Sequence, residues 1–239
     1  MSIHAQYQIR AGIWILALIL SIQSSGQTSF PKPFTERVEG WNIEFGSVLK
    51  EEKNQKLFRQ TKKALANHLQ RICYLMPEDK RKELQKLFIR VDHMHELSNM
   101  QYHPSQAWLI KNNHDPSLVK RVHIPRAQQL IARSTWLKHP YVILHELAHA
   151  YHDQVLGFEN EEIKKAYHRA EKSKLYERVL LFRGGLTSHY ARTDHKEFFA
   201  EMTESYVGVN DFYPFVRAEL KEHDPRMYAL MESTWGKIR

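Results

Sequence analysis

The segment His-Glu-Leu-Ala-His at residues 145–149 has residue types and a spacing that suit metal chemistry. On a helix, residues four apart lie on one face, so His145 and His149 can direct their imidazoles at one ion. Glu146 is turned by about 100° from His145, which keeps its carboxylate off the ion but within reach of a bound water. The segment predicts two zinc ligands and a general base. The alternative is a buried helix with two incidental histidines.

The third protein ligand has to come from another part of the chain. A longer motif with a third histidine is excluded, because Val155 stands where that histidine would be and His152 where a glycine would be. His152 shares a face with His145 but lies roughly 10 Å along the helix axis, too far to bind the same ion without a break in the helix. The single cysteine, Cys73, follows a helical apolar pattern and is expected to be a small buried residue. Histidine and carboxylate must therefore hold any metal.

Glu197 and Glu201 are the best source of that ligand, since they lie one turn apart in a predicted helix. One carboxylate can complete a zinc site with three protein ligands and leave the fourth position to water. The other can accept the free N–H of a ligand histidine. The spacing alone leaves open which glutamate does which. The alternative is that both are solvated glutamates on a surface helix.

The pairing of the 145–149 segment with Glu-Phe-Phe-Ala-Glu at 197–201 resembles the anthrax lethal factor type of zinc metallopeptidase. These enzymes are gluzincins, and the group includes secreted bacterial endopeptidases that cut between prolines. The resemblance covers roughly residues 140–208. It implies that Glu197 binds one Zn²⁺ ion together with His145 and His149, and that Glu201 supports the site from outside. It also implies that Tyr190, seven residues before Glu197, faces the reacting carbonyl.

Together with the resemblance, these residues predict a secreted zinc metalloendopeptidase with Glu146 as general base, and the resemblance implies that Tyr190 is the donor to the oxyanion. The expected partner is a peptide or protein substrate, paired with a strand edge near 107–110 or 119–124. Two other functions remain open at this point. One is a catalytically inactive zinc-binding or interaction protein, and the other is a zinc amidase acting on a non-protein amide such as a cell-wall peptide.

The elements that must position these residues follow from the hydrophobic periodicity. A strand between Arg37 and Phe45, broken near Gly40, is predicted together with three further strands at 88–91, 107–110 and 119–124. Helices are predicted at 51–75, 78–87, 140–156, 160–180, 195–208 and 225–235. Strands that precede a helical second half indicate an α+β fold. The resemblance makes this a zincin-like domain, with a small mixed sheet packed on the active-site helix and a mainly helical C-terminal part.

The first 26 residues have the layout of a signal peptide: Arg10, the apolar block 11–22, then small residues before Gln27. The apolar block is shorter than the ~20 residues that a spanning helix needs. Cleavage near 26/27 would give a secreted or periplasmic protein with no stable membrane insertion. An uncleaved signal anchor is the alternative. Residues 27–35 are predicted to be a linker, and 36–239 a single peptidase domain.

The net charge of +8 comes from basic and acidic residues that are interleaved along most of the chain. That pattern is typical of solvated helix surfaces, and it lacks the basic blocks that nucleic-acid binding requires. No nucleic-acid partner is expected.

Overall fold

The computed structural model describes residues 30–238. The predicted signal peptide lies outside the described residues, as does the start of the predicted linker. Within the described part of the chain, no helix is both long enough and apolar enough to cross a membrane.

The strands of residues 30–238 form two sheets. They are β1 (Phe34–Val38), β2 (Trp41–Phe45), β3 (Phe88–Val91), β4 (Gln101–Tyr102), β5 (Arg121–Ile124), β6 (Val179–Leu180) and β7 (Leu186–Thr187). The larger sheet has the order β1-β2-β3-β5-β4. Its inner strands β2, β3 and β5 are parallel, whereas β1 and β4 pair antiparallel at the two edges. Strands β6 and β7 form a separate antiparallel pair.

Ten helices are described within residues 30–238, and they make up most of the second half. They are α1 (Gln55–Leu75), α2 (Glu78–Leu84), α3 (Gln106–Lys111), α4 (Gln128–Ile131), α5 (Arg133–Lys138), α6 (Val142–Tyr151), α7 (Glu161–Ser173), α8 (His195–Val207), α9 (Arg217–His223) and α10 (Pro225–Trp235). The predicted α+β class, with a small mixed sheet and a helical C-terminal part, is confirmed.

The two faces of the sheet differ in polarity because side chains alternate along each strand. One row of buried apolar side chains runs in register across β2, β3 and β5 and joins the core with α1 and α6: Ile43, Ile89 and Val122. The next row, on the opposite face, is polar: Glu44, Arg90 and His123. The apolar face holds α6 against the sheet, and α6 carries the 145–149 segment.

The prediction of a strand at 107–110 is wrong, because these residues belong to α3. The hydroxyl of Ser105 accepts a hydrogen bond from the Trp108 amide at 3.2 Å and caps this helix. Trp108 and Ile110 are exposed while Leu109 is buried, so a short apolar run was mistaken for a strand. The strand predicted at 119–124 is confirmed, beginning at Arg121.

Several other boundaries differ from the prediction. The broken strand between Arg37 and Phe45 is a hairpin, in which Glu39 and Gly40 both have positive φ, as a tight two-residue turn requires. Phe34 and Thr35, placed in the linker by the prediction, belong to β1. The helix predicted at 140–156 is regular only over Val142–Tyr151 and continues as a wider π-helical turn over His152–Leu156. The helix predicted at 160–180 ends at Ser173.

Gly208 follows the last residue of α8 and lies against the ring of Tyr141, the residue that precedes α6. A Cβ atom at this position would lie 2.5 Å from Cε1 of Tyr141 and 2.6 Å from two further ring carbons. We expect Gly208→Ala to lower the free energy of unfolding by about 1–3 kcal/mol, because the ring must move. Chemical denaturation measures this loss. In a Tyr141→Ala background the same change should cost much less, and an equal cost in both backgrounds would contradict the steric explanation.

Candidate metal centre

Helices α6 and α8 pack against each other and bring three potential ligands into one triangle. Nε2 of His145 lies 3.1 Å from Nε2 of His149, and both nitrogens lie 3.2 Å from Oε2 of Glu197. In a tetrahedral zinc site with bonds of about 2.0–2.1 Å, neighbouring ligand atoms are about 3.3 Å apart. The triangle therefore has the size that a divalent ion such as zinc requires.

The position of Glu197 is fixed by the first turn of α8. Oδ1 of Asp194 accepts hydrogen bonds from the backbone amides of Lys196 and Glu197, at 2.8 and 2.9 Å. This cap begins the helix three residues before Glu197, which sets the face on which its carboxylate emerges. An aspartate three residues before a glutamate is a helix-start signal that the sequence also contains.

The charges around the triangle favour a cation. Burial acts to lower the pKa of His145. The surrounding glutamates outweigh burial and raise this pKa well above its ordinary value, and Glu197 has the largest effect among them. Burial acts to raise the pKa of Glu197, but its contacts with His145 and His149 lower it strongly. The raised pKa of His145 expresses the negative potential of the surrounding glutamates, and the lowered pKa of Glu197 expresses its attraction to the two imidazoles. A bound metal ion would be favoured by the same carboxylates.

Glu146 lies on the same helix, is buried, and lines the cleft beside the triangle. Burial raises the pKa of this carboxyl, while the neighbouring His145 and His149 act to lower it. The backbone amide of Tyr102, in the edge strand β4, also interacts with the carboxylate and acts to lower its pKa. These groups place Glu146 where it can exchange a proton with a molecule in the cleft.

Tyr190 lines the cleft at the start of a 3₁₀ turn, Tyr190–Arg192, and the residue is 48% exposed. Partial burial and the nearby Glu197 raise the pKa of Tyr190 to about 12. Its hydroxyl is therefore protonated at neutral pH and can donate a hydrogen bond into the cleft.

Glu201 lies behind the triangle rather than in it. Its Oε1 is 3.5 Å from Nδ1 of His145, on the side of the ring that faces away from the triangle. Asn210 holds this carboxylate by donating to Oε2 at 3.0 Å, and it also donates to the Glu201 carbonyl at 2.8 Å. Burial raises the pKa of Glu201. The contact is suited to orienting His145 through its second nitrogen.

The sequence analysis missed two acidic side chains at this site, Glu204 and Asp211. Oε1 of Glu204 lies 3.8 Å from Nδ1 of His145, and Asp211 lines the same cleft from the turn after α8. The spacing of Glu197, Glu201 and Glu204 along one helix face was a signal for the first. Asp211 gave no signal, because only the fold of residues 208–215 brings it back to α8.

His152 does not join the metal ligands. Its ring is buried and packs against Phe158, Phe199 and His195.

A second cluster of histidines occupies the polar face of the sheet: His95, His103, His114 and His123. His123 joins this cluster to Asp92 at 3.0 Å, and His114 contacts Glu96 at 2.6 Å. His95, Glu96 and His114 form a second group whose donor atoms are close enough together to hold an ion.

Neither strand that the sequence offered as a substrate edge is an edge in the structure. Residues 107–110 are helical, and β5 is paired on both sides, with β3 and β4. The free edge at this end of the sheet is β4, whose Gln101 and Tyr102 line a cleft of about 1050 Å³ that also contains the triangle.

In comparisons with known proteins, no sequence family and no curated protein matches this chain. Among solved structures, a Pro-Pro endopeptidase (PPEP-2) from Paenibacillus alvei aligns with 80% of this chain and 95% of its own length. The two are 19% identical and the TM-score is 0.39. A TM-score this low carries no argument about function.

The triangle predicts different metal affinities for two glutamate variants. Glu197→Ala should abolish high-affinity Zn²⁺ binding, because it removes one of three donors. Glu201→Ala should weaken binding by about 10–100-fold, because it removes only a group that orients His145. Competition with a chelating dye, together with metal analysis of the purified protein, measures both effects.

Glu162→Ala, an exposed glutamate on α7, is the matched control and should bind Zn²⁺ like the wild type. If Glu201→Ala lost the ion while Glu197→Ala kept it, the two glutamates would have the opposite roles.

Proposed function

We propose that this protein is a zinc-dependent peptidase of zincin-like fold, in which His145, His149 and Glu197 hold one Zn²⁺ ion. The observation that carries the proposal is the triangle of donor atoms with sides of 3.1–3.2 Å, which lies in a cleft beside Glu146 and Tyr190. When bound, zinc supplies a Lewis acid that polarises a carbonyl and makes a water molecule more acidic.

The proton transfers fall to Glu146. Its carboxylate takes a proton from the attacking water as the C–O bond forms, and delivers it to the amine nitrogen as the C–N bond breaks. The raised pKa of Glu146 supports this role, because a carboxyl with a pKa nearer neutrality both accepts and returns a proton. The products are a free carboxyl group and a free amine.

Tyr190 stabilises the negative charge that develops on the carbonyl oxygen. The hydroxyl remains protonated, and the side chain is half exposed at the cleft, so it can turn toward a substrate without displacing core residues. A donor aimed at the oxyanion lowers the barrier more than it strengthens ground-state binding.

The substrate backbone is proposed to run along β4, the free edge of the sheet. Backbone hydrogen bonds to an edge strand supply affinity without demanding particular side chains. Tyr102 and Glu146 line the same cleft, so a chain lying along this edge would pass beside the general base and the triangle. Export of the protein, indicated by residues 1–26, remains a prediction that would give it access to extracellular peptides.

Glu146→Gln tests the general base. The variant should bind Zn²⁺ like the wild type but lose peptidase activity by about 10²–10⁴-fold, because the amide cannot accept the proton. The measurement is digestion of a mixed peptide library by the zinc-loaded protein, read by mass spectrometry. Full activity in this variant would contradict the assignment.

A wild type that binds zinc and cuts no peptide would overturn the proposed function, and peptidoglycan digested in parallel would reveal an amidase.

Tyr190→Phe tests the oxyanion donor. Removing the hydroxyl should lower kcat by about 10²–10³-fold and leave KM nearly unchanged, because the bond forms mainly in the transition state. Steady-state kinetics on a peptide from the library gives both constants. Tyr228→Phe removes a hydroxyl from α10, outside the cleft-lining residues, and should leave both constants as they are. An unchanged kcat in Tyr190→Phe would remove this residue from the mechanism.

A further inference from the structure

Two buried carboxylates of the cleft, Glu204 and Asp211, have oxygen atoms that accept no hydrogen bond. Both oxygens of Asp211 and Oε1 of Glu204 are unpartnered, although each residue is only 2% exposed. Unpaired charge in such a place is costly, and native proteins avoid it unless a ligand supplies the missing charge. Burial raises the pKa of Asp211 to about 6, because no cation of the protein is held against it.

The protein itself does not supply that cation. Within the described residues, the basic group nearest to Asp211 is Nδ1 of His139, at 3.6 Å. Burial lowers the pKa of His139 to about 4, so it is neutral at pH 7. Lys138 is exposed and acts on Asp211 without forming an ion pair with it. The basic group nearest to Glu204 is Nδ1 of His145, at 3.8 Å, and the Nε2 of this ring belongs to the metal triangle.

Val142 and Phe212 contribute apolar surface to the same cleft that Glu204 and Asp211 line. Phe212 stacks on the ring of His189 at a centroid distance of 4.9 Å, and its backbone amide donates to Asn210 at 2.8 Å, so its position is fixed. A cleft lined by both apolar and acidic side chains suits a ligand side chain that has an aliphatic stem and a cationic end.

Distance also fits such a side chain. Glu204 lies on the far side of the His145 ring from the triangle, one imidazole away from the place where the scissile carbonyl would bind. A lysine carries its ammonium group at the end of a flexible four-carbon stem. A basic residue close to the bond being cut would bring its charge toward these carboxylates while its backbone stays in the cleft.

We propose that Glu204 and Asp211 form a cation-binding subsite that takes the lysine or arginine side chain of a peptide substrate, beside the bond that is cut. This inference rests on the proposed peptidase function and adds the substrate class.

The first test is the position-specific composition of the bonds cut in the mixed peptide library. Zinc-loaded wild type should show lysine and arginine enriched at one fixed position next to the cleaved bond. Cleavage with no basic enrichment at any position overturns this inference and leaves the peptidase proposal standing. Absence of any cleavage overturns the peptidase proposal, and this inference falls with it.

The second test measures binding without turnover. Two peptides identical except for lysine or norleucine at the enriched position are titrated by calorimetry into the zinc-loaded Glu146→Gln variant. The lysine peptide should bind at least about 10-fold more tightly, since the two side chains differ mainly in charge. Adding Asp211→Asn or Glu204→Gln to this background should bring the two affinities to within about 3-fold of each other. Equal affinities in the parent variant overturn the inference.

Glu222→Gln removes an exposed carboxylate of α9 and is the matched control for a change in net charge. It should keep the full preference for lysine. Loss of the preference in this control would assign the effect to the overall charge and overturn the subsite.

Thermal unfolding of the peptide-free protein separates binding from a structural role. If the Asp211 carboxylate is paired only when a substrate is bound, Asp211→Asn should raise Tm at pH 8, because it removes an unpaired buried charge. A lowered Tm would mean that the carboxylate supports the fold, and it would overturn the assignment of Asp211 to the subsite.

Discussion

The burial of like charges between α6 and α8 is the constraint on which the rest of the structure depends. Glu146, Glu197, Glu201 and Glu204 lie within one largely buried region, and His145 is the imidazole that touches most of them. Water cannot screen these carboxylates fully, so their mutual repulsion has to be offset by cations or by protons. A metal ion in the triangle, as proposed, would offset part of this charge on one side of His145. A substrate cation would offset the charge on the other.

Separate parts of the fold hold these groups at their distances. The apolar face of the sheet packs on α6 and fixes His145 and His149, whereas Asp194 begins α8 at the residue that aims Glu197. Asn210 connects the turn after α8 back to Glu201, and so positions the neighbouring Asp211. The edge strand β4 contributes a backbone amide to the same cleft. Because each contact fixes only one group, the geometry is a product of the whole domain.

Long helices and buried strands could be predicted because their patterns are local. The apolar period of α1 extends over 21 residues, β5 alternates polar and apolar side chains before Pro125, and β3 is a mostly apolar stretch that ends before Asp92. The strand predicted at 107–110 failed because a short apolar run fits either a strand or a helix, and Ser105 decided for a helix. Strand β4 has two residues and carries no pattern. It exists because β5 offers it hydrogen bonds.

The sequence by itself determined which residue types lie on one face of one helix: His145 with His149, and Glu197 with Glu201 and Glu204. Those relations follow from helical periodicity, which depends only on separation along the chain. The tertiary structure decided that the two faces meet across 3.2 Å, that Glu201 lies behind the triangle, and that Asp211 returns to the same cavity. Such distances join residues about 50 positions apart, and they are set by how α6 and α8 pack on their neighbours rather than by any local preference of the chain.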